Sequence, residues 1–141
     1  MARLLVLVTL AAAVLAGCGR DAPPAAPAPA PEIDLRVTAS DGSGPRETAR
    51  VRCTGEGGRV SGFLSGRDPT RTCAAASRLA RLLTEPPPGD RTCASVYGGP
   101  ETARVTGRLR AERVDRSFAH TNACESDEWE AARALLPRPA S

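Results

Sequence analysis

Two sets of residues in this chain could do chemistry: the cysteines Cys18, Cys53, Cys73, Cys93 and Cys124, and a serine–histidine–acid set made of Ser95, His120 and either Asp115 or Asp127. Thiols can hold a metal, pair as disulfides or be modified singly. The last four are spaced by 20, 20 and 31 residues, without the close Cys-x2-Cys pairs that bring two thiolates to one zinc ion. Metal binding is set aside on that ground, and nothing in the sequence calls for a cofactor. A hydrolase needs the serine, histidine and acid in line, with an oxyanion hole beside the serine. His120 is the one histidine, and no Gly-x-Ser-x-Gly elbow surrounds Ser95. His120 reads as a surface residue at a strand end, and the chain is not expected to be an enzyme.

Five thiols are an awkward number for an oxidising compartment, and Cys18 stands apart from the rest. Arg3 precedes an apolar run over residues 4–14. That run is too short for a bilayer, which takes roughly 20 apolar residues, and its flanks fit a secretory leader. It ends in Leu15-Ala16-Gly17-Cys18, which resembles the lipobox of bacterial lipoproteins: an apolar residue, two small ones, then the acylated cysteine. The resemblance implies removal of residues 1–17, lipid on Cys18, and an extracytoplasmic protein anchored to the bacterial cell membrane, with release to the medium as a variant. A plain signal peptide with a chance cysteine is the alternative. Each buried methylene of an acyl chain contributes about 0.8 kcal/mol, so two or more chains hold where one does not. With Cys18 assigned to lipid, the other four form an even set suited to two disulfides.

The elements that must position these residues follow in order. Residues 18–31, dominated by alanine and proline, cannot bury a core and favour an extended spacer. The folded domain is expected over residues 32–141, its core ending near Pro137, a size at which disulfides help appreciably. All 19 basic residues are arginine, and loss of Arg3 leaves 18 against 16 carboxylates. They are dispersed among acids with few aromatics, so no nucleic-acid partner is expected. Ile33, Leu35 and Val37 alternate with Asp34, Arg36 and Thr38, the period of a half-buried strand. Residues 48–53, 102–109 and 113–119 alternate likewise, and Val60, Phe63 and Leu64 mark a short strand in the loop-rich stretch 55–66. Asp68-Pro69 reads as N-cap and first residue of a helix. Cys73, Ala76, Leu79, Ala80 and Leu83 continue it on one face, until the prolines at 86–88 break it. A second helix over residues 124–136 carries acids in its first turns, which suits the helix dipole, and an apolar stripe of Trp129, Ala132, Leu135 and Leu136. The sum is an α+β domain: a mostly antiparallel sheet with two helices packed on it.

The C-terminal half carries a more specific pattern. Cys93-Ala94-Ser95-Val96-Tyr97-Gly98-Gly99-Pro100 leads into a strand, and Asn122-Ala123-Cys124-Glu125 follows, with Trp129 a turn later. Upstream, Cys53 ends a strand, glycines follow, and Asp68-Pro69 opens the helix that bears Cys73. The chain resembles the Streptomyces subtilisin inhibitor family, which shows a Cys-x-x-x-Tyr-Gly-Gly-Pro loop and a later Asn-x-Cys-Glu, and the similarity spans nearly all of residues 33–136. It implies disulfides Cys53–Cys73 and Cys93–Cys124, a five-stranded antiparallel sheet with two helices, and a homodimer through the sheet face.

The resemblance also implies inhibition of secreted serine proteases of the subtilisin type through a loop shaped like a bound substrate. Carried over residue by residue, Thr92, Cys93, Ala94 and Ser95 fall at P4 to P1. Ser95–Val96 is the scissile-type bond, and Val96 and Tyr97 lie on the primed side. Asn122 has two readings: an amide that supports the loop carbonyls, or a cap for the second helix. The departure lies at P1, where family members carry methionine, lysine or another large residue, often after proline. Serine forfeits most of the roughly 1.5–3 kcal/mol that a large apolar side chain gains in an S1 pocket. A small-pocket target, weak inhibition, and a non-inhibitory envelope binding module that keeps the fold all fit that substitution.

Overall fold

The computed structural model describes residues 32–55 and 57–138. The expected leader, tether and Cys18 lie outside them. Five strands, β1 (Ile33–Ser40), β2 (Glu47–Thr54), β3 (Gly57–Gly62), β4 (Thr102–Leu109) and β5 (Glu112–Phe118), form one antiparallel sheet in the order β3-β2-β1-β4-β5. The fold is thus α+β, with the five strands the family pattern implied.

Register follows from the period of two. Leu35 faces Val51, Val37 faces both Ala49 and Val105, and Ala103 faces Phe118. Every odd residue of β1 from Ile33 to Ala39 is therefore buried, and a one-residue slip would expose all of them. Leu35 also faces Gly107, whose φ of +137° and closeness to the Asp34 carbonyl leave no room for a Cβ. Asp34 points to the other face, where Arg50 grips it with two hydrogen bonds of 2.8 Å and holds its carboxyl below the ordinary range.

The helices cover the buried face. Asp68 caps α1 (Pro69–Arg78) by accepting from the Arg71 N–H at 2.7 Å, with proline in the first turn as its sequence signalled. The single helix expected through Leu83 is in fact two: Leu79 leaves helical geometry (φ −85°, ψ 8°), and α2 (Ala80–Thr84) restarts from it. No glycine or proline causes this break. α1 packs on β2 and β3 while α2 packs on β5, so the chain must turn to carry Leu83, 2 % exposed, across the sheet. The last helix, α3 (Ala123–Ala132), stops short of the expected Leu136. Leu135 and Leu136 are still fully buried in the turn that follows. Arg67 holds that turn, donating to the carbonyls of Arg133 at 2.7 Å and Leu136 at 2.5 Å, and burial pulls its pKa down.

Both disulfides are present: Cys53–Cys73 joins β2 to α1, and Cys93–Cys124 joins the segment before β4 to α3. Their loops of 20 and 31 residues correspond to about 3.3 and about 3.7 kcal/mol in the chain-entropy estimate.

Candidate functional site

Residues 91–99 have no regular secondary structure and run along the surface into β4. Val96 and Tyr97, 58 % and 68 % exposed, are the large hydrophobic side chains left in solvent among the described residues. They adjoin Ser95, which is exposed and whose hydroxyl has no partner among the described residues. Together they form an exposed apolar patch, a surface of the kind that can contact a partner.

The loop is nonetheless tied down on both sides of Ser95. Before it, Cys93 is bonded to Cys124, and the Ala94 carbonyl accepts from the Ala123 N–H at 3.0 Å. After it, the Gly98 N–H donates to the His120 carbonyl at 2.7 Å. All three anchors fall in residues 120–124, which lead into and open α3. A Cβ at Gly98 would come within 3.1 Å of His120 Cβ and Ser126 Oγ, so glycine is what permits the close approach. The His120 ring lies 4.5 Å from that of buried Trp129, and its Nδ1 is 3.2 Å from Ser126 Oγ. The exit side of the loop is thereby seated on the core.

A second support lies at the loop's stem. Glu128 on α3 receives Arg91 at 2.7 Å and Arg116 at 2.5 Å, one on each carboxylate oxygen. Arg91 directly precedes Thr92. Arg116 occupies an inward-facing position of β5 opposite Val105 and is only 8 % exposed. Sequence reasoning placed Glu128 merely among the helix-dipole acids and missed this clasp. A charged residue at a strand position whose neighbours Val114 and Phe118 face the core was the available signal.

Backbone direction completes the geometry. The Ala94 carbonyl turns toward the body of the domain, while the N–H and C=O of Cys93 and Ser95 have no partner among the described residues. The backbone groups of Cys93 and Ser95 are therefore available to a partner. The Val96 N–H also reaches the Ala94 carbonyl at 2.9 Å, bending the chain at Ser95.

Asn122 does the capping job. Its Oδ1 accepts from the Glu125 N–H at 3.0 Å, and its amide nitrogen reaches Thr121 Oγ1 at 3.5 Å. Support for a loop carbonyl comes instead from the neighbouring Ala123 N–H. Of the serine–histidine–acid set, His120 is engaged by Ser126 and Trp129. Asp115 sits in a two-point pair with Arg104 at 2.8 Å, which holds its carboxyl below the ordinary range. Among the described residues no cluster of three or more histidine, cysteine or acidic side chains could hold a metal ion.

Comparison with protein-family models, with curated proteins and with solved structures returns no match for this chain.

Proposed function

We propose that the domain is a serine protease inhibitor of the Streptomyces subtilisin inhibitor type, acting through residues 92–97 with Ser95–Val96 at the catalytic centre of its target. The carrying observation is the pairing of exposure with restraint. The exposed apolar pair Val96 and Tyr97 and the exposed Ser95 sit on a loop anchored to residues 120–124 on both sides of that bond.

The loop lies in the protease cleft as an added strand, with the free backbone groups of Cys93 and Ser95 supplying hydrogen bonds and side chains setting selectivity. Ordering is completed during folding, so little conformational entropy is lost on binding. When the protease serine attacks the Ser95 carbonyl, the bond to the Val96 nitrogen breaks and a new amine forms. Gly98 is held by His120 and Cys93 by Cys124, so that amine stays beside the acyl group. Its high effective concentration favours religation over hydrolysis. Ser95 matches a small S1 pocket. Lipid on Cys18 keeps the inhibitor at the extracytoplasmic membrane surface.

The small Ser95 also favours a second reading, a binding module without inhibitory action. Titrating the purified protein against secreted serine proteases decides between them. Stoichiometric inhibition of elastase-type enzymes supports the inhibitor, and no inhibition of any enzyme supports the module.

A further inference from the structure

The sheet face turned away from the helices carries no hydrophobic side chain. Register places seven arginines there against two aspartates, Asp34 and Asp115. Asp34 is engaged by Arg50 and Arg52, and Asp115 by Arg104. Arg36, Arg59, Arg108 and Arg113 are exposed and form no ion pair among the described residues, Arg113 acting on Asp115 only from a distance. Like charges also face each other across strands: Arg36 with Arg50, Arg52 with Arg59, Arg108 with Arg113. Directly opposed like charges destabilise a sheet; Asp34 offsets Arg50 and Arg52 in the first two pairs, while Arg108 and Arg113 face each other with no ion pair on either, a cost that an anionic partner would relieve.

The charge is concentrated at one end. A single row across the sheet reads Arg59, Arg52, Asp34, Arg108, Arg113, about 19 Å wide at the usual strand spacing. It adjoins Ile33, where the chain enters β1 from residues 1–31. The candidate loop leads into β4 at Thr102, which faces Ser40 at the opposite end of β1. Seven residues of strand separate the two ends, about 23 Å.

The geometry points to this arginine face, densest at the row through Asp34, as a docking surface for an anionic phospholipid bilayer. A flat array of cations suits a plane of phosphate headgroups, each arginine near such a surface strengthening binding about fivefold. The face has no aromatic side chain on which a nucleic-acid base could stack. A second copy would bring two faces together, each with five more cations than anions. The choice of a bilayer rests on the proposed anchor at Cys18, which would tether the domain within reach of a membrane surface through residues 19–31; it does not rest on protease inhibition.

The test uses the chain from residue 18 onward carrying Cys18→Ser, which keeps every described element and removes the lipid. Co-sedimentation is measured with vesicles of phosphatidylglycerol mixed with phosphatidylcholine and with phosphatidylcholine alone. Binding is expected only to the first, weakening as salt screens the charges. Arg59→Gln with Arg108→Gln and Arg113→Gln should weaken it about 100-fold, at about fivefold for each charge. An equal charge change on the helix layer, Arg71→Gln with Arg78→Gln and Arg81→Gln, should weaken it less than about tenfold. Circular dichroism checks that each variant is folded, and single Arg113→Gln, expected to lose about fivefold, stands in if the triple is not. Absence of salt-dependent binding to anionic vesicles, or equal losses from the two triples, overturns the proposal. So does a DNA duplex that binds the face more tightly than the vesicles, or a dimer whose formation the sheet-face triple abolishes. Inhibition constants measured on the same variants report separately on the loop, which none of these substitutions touches.

Discussion

Glutamine at position 128 isolates the clasp beneath the loop. Glu128→Gln keeps the side chain's size but removes the charge shared by Arg91 and Arg116. Arg116 is 8 % exposed and its Nε has no partner, so the variant strands a buried cation. Breaking a buried pair costs about 3–5 kcal/mol. Glu128 is 12 % exposed and glutamine can still accept one hydrogen bond, which brings the expected loss to about 2–3 kcal/mol. At about 4–8 °C per kcal/mol for a domain of this size, the melting temperature should fall by roughly 10 °C or more. Arg91→Gln is the contrasting change. Arg91 is 35 % exposed, and such a rim pair contributes about 1 kcal/mol or less, so the melt should fall by less than about 8 °C while the stem of the loop is freed. Thermal unfolding by circular dichroism with disulfides intact, together with the rate of loop cleavage by excess protease, separates the two. Glu128→Gln should lower the melt by the larger amount and speed cleavage, and Arg91→Gln should speed cleavage with the smaller fall in the melt. A Glu128→Gln protein melting within about 2 °C of wild type would refute the clasp.

Peptide mapping without reduction should recover Cys53 joined to Cys73 and Cys93 joined to Cys124. Replacing the second pair with alanines should cost about 3.7 kcal/mol in chemical denaturation and turn the loop into an ordinary substrate. Gly98→Ala should push residue 98 away from His120 and weaken inhibition, with overpacking costing about 1–3 kcal/mol; unchanged inhibition would remove the His120 anchor from the mechanism. The arginine-bonded carboxyls of Asp34 and Asp115 lie below their ordinary value of 3.8 in the folded state. Their contribution is complete above that value and is lost as pH falls through the lower folded one. Stability should therefore drop below about pH 4, and Asp34→Asn should blunt the drop.

Much of this fold is local and so was legible. Alternation in residues 33–38 and 102–109 marks both strand and buried face, and Asp68-Pro69 marks the helix start. The two disulfide pairs came from the family pattern, since spacing alone leaves three pairings open. What stayed hidden depends on the partner across the fold. The break at Leu79 arises because α1 and α2 meet different strands, which helical periodicity does not encode. The Arg91–Glu128–Arg116 clasp joins a loop, a helix and a strand that are far apart in sequence. Asn122 was readable either way from sequence, because an asparagine before a helix can serve the helix or the loop, and distance alone shows its oxygen on the Glu125 N–H.

The most direct test of inhibition is the effect of Ser95→Met on inhibition constants for a subtilisin-type and an elastase-type protease. Only the group presented to the S1 pocket changes, since Cys93–Cys124, Ala94–Ala123 and Gly98–His120 still hold the loop. Methionine should tighten inhibition of the subtilisin-type enzyme by roughly 10- to 200-fold, about 1–3 kcal/mol of pocket contact, and weaken that of the small-pocket enzyme. Ser65→Met, at another exposed serine outside the loop, should change neither. If Ser95→Met leaves both constants where they were, or neither enzyme is inhibited by either form, residues 92–97 are not a protease-binding loop.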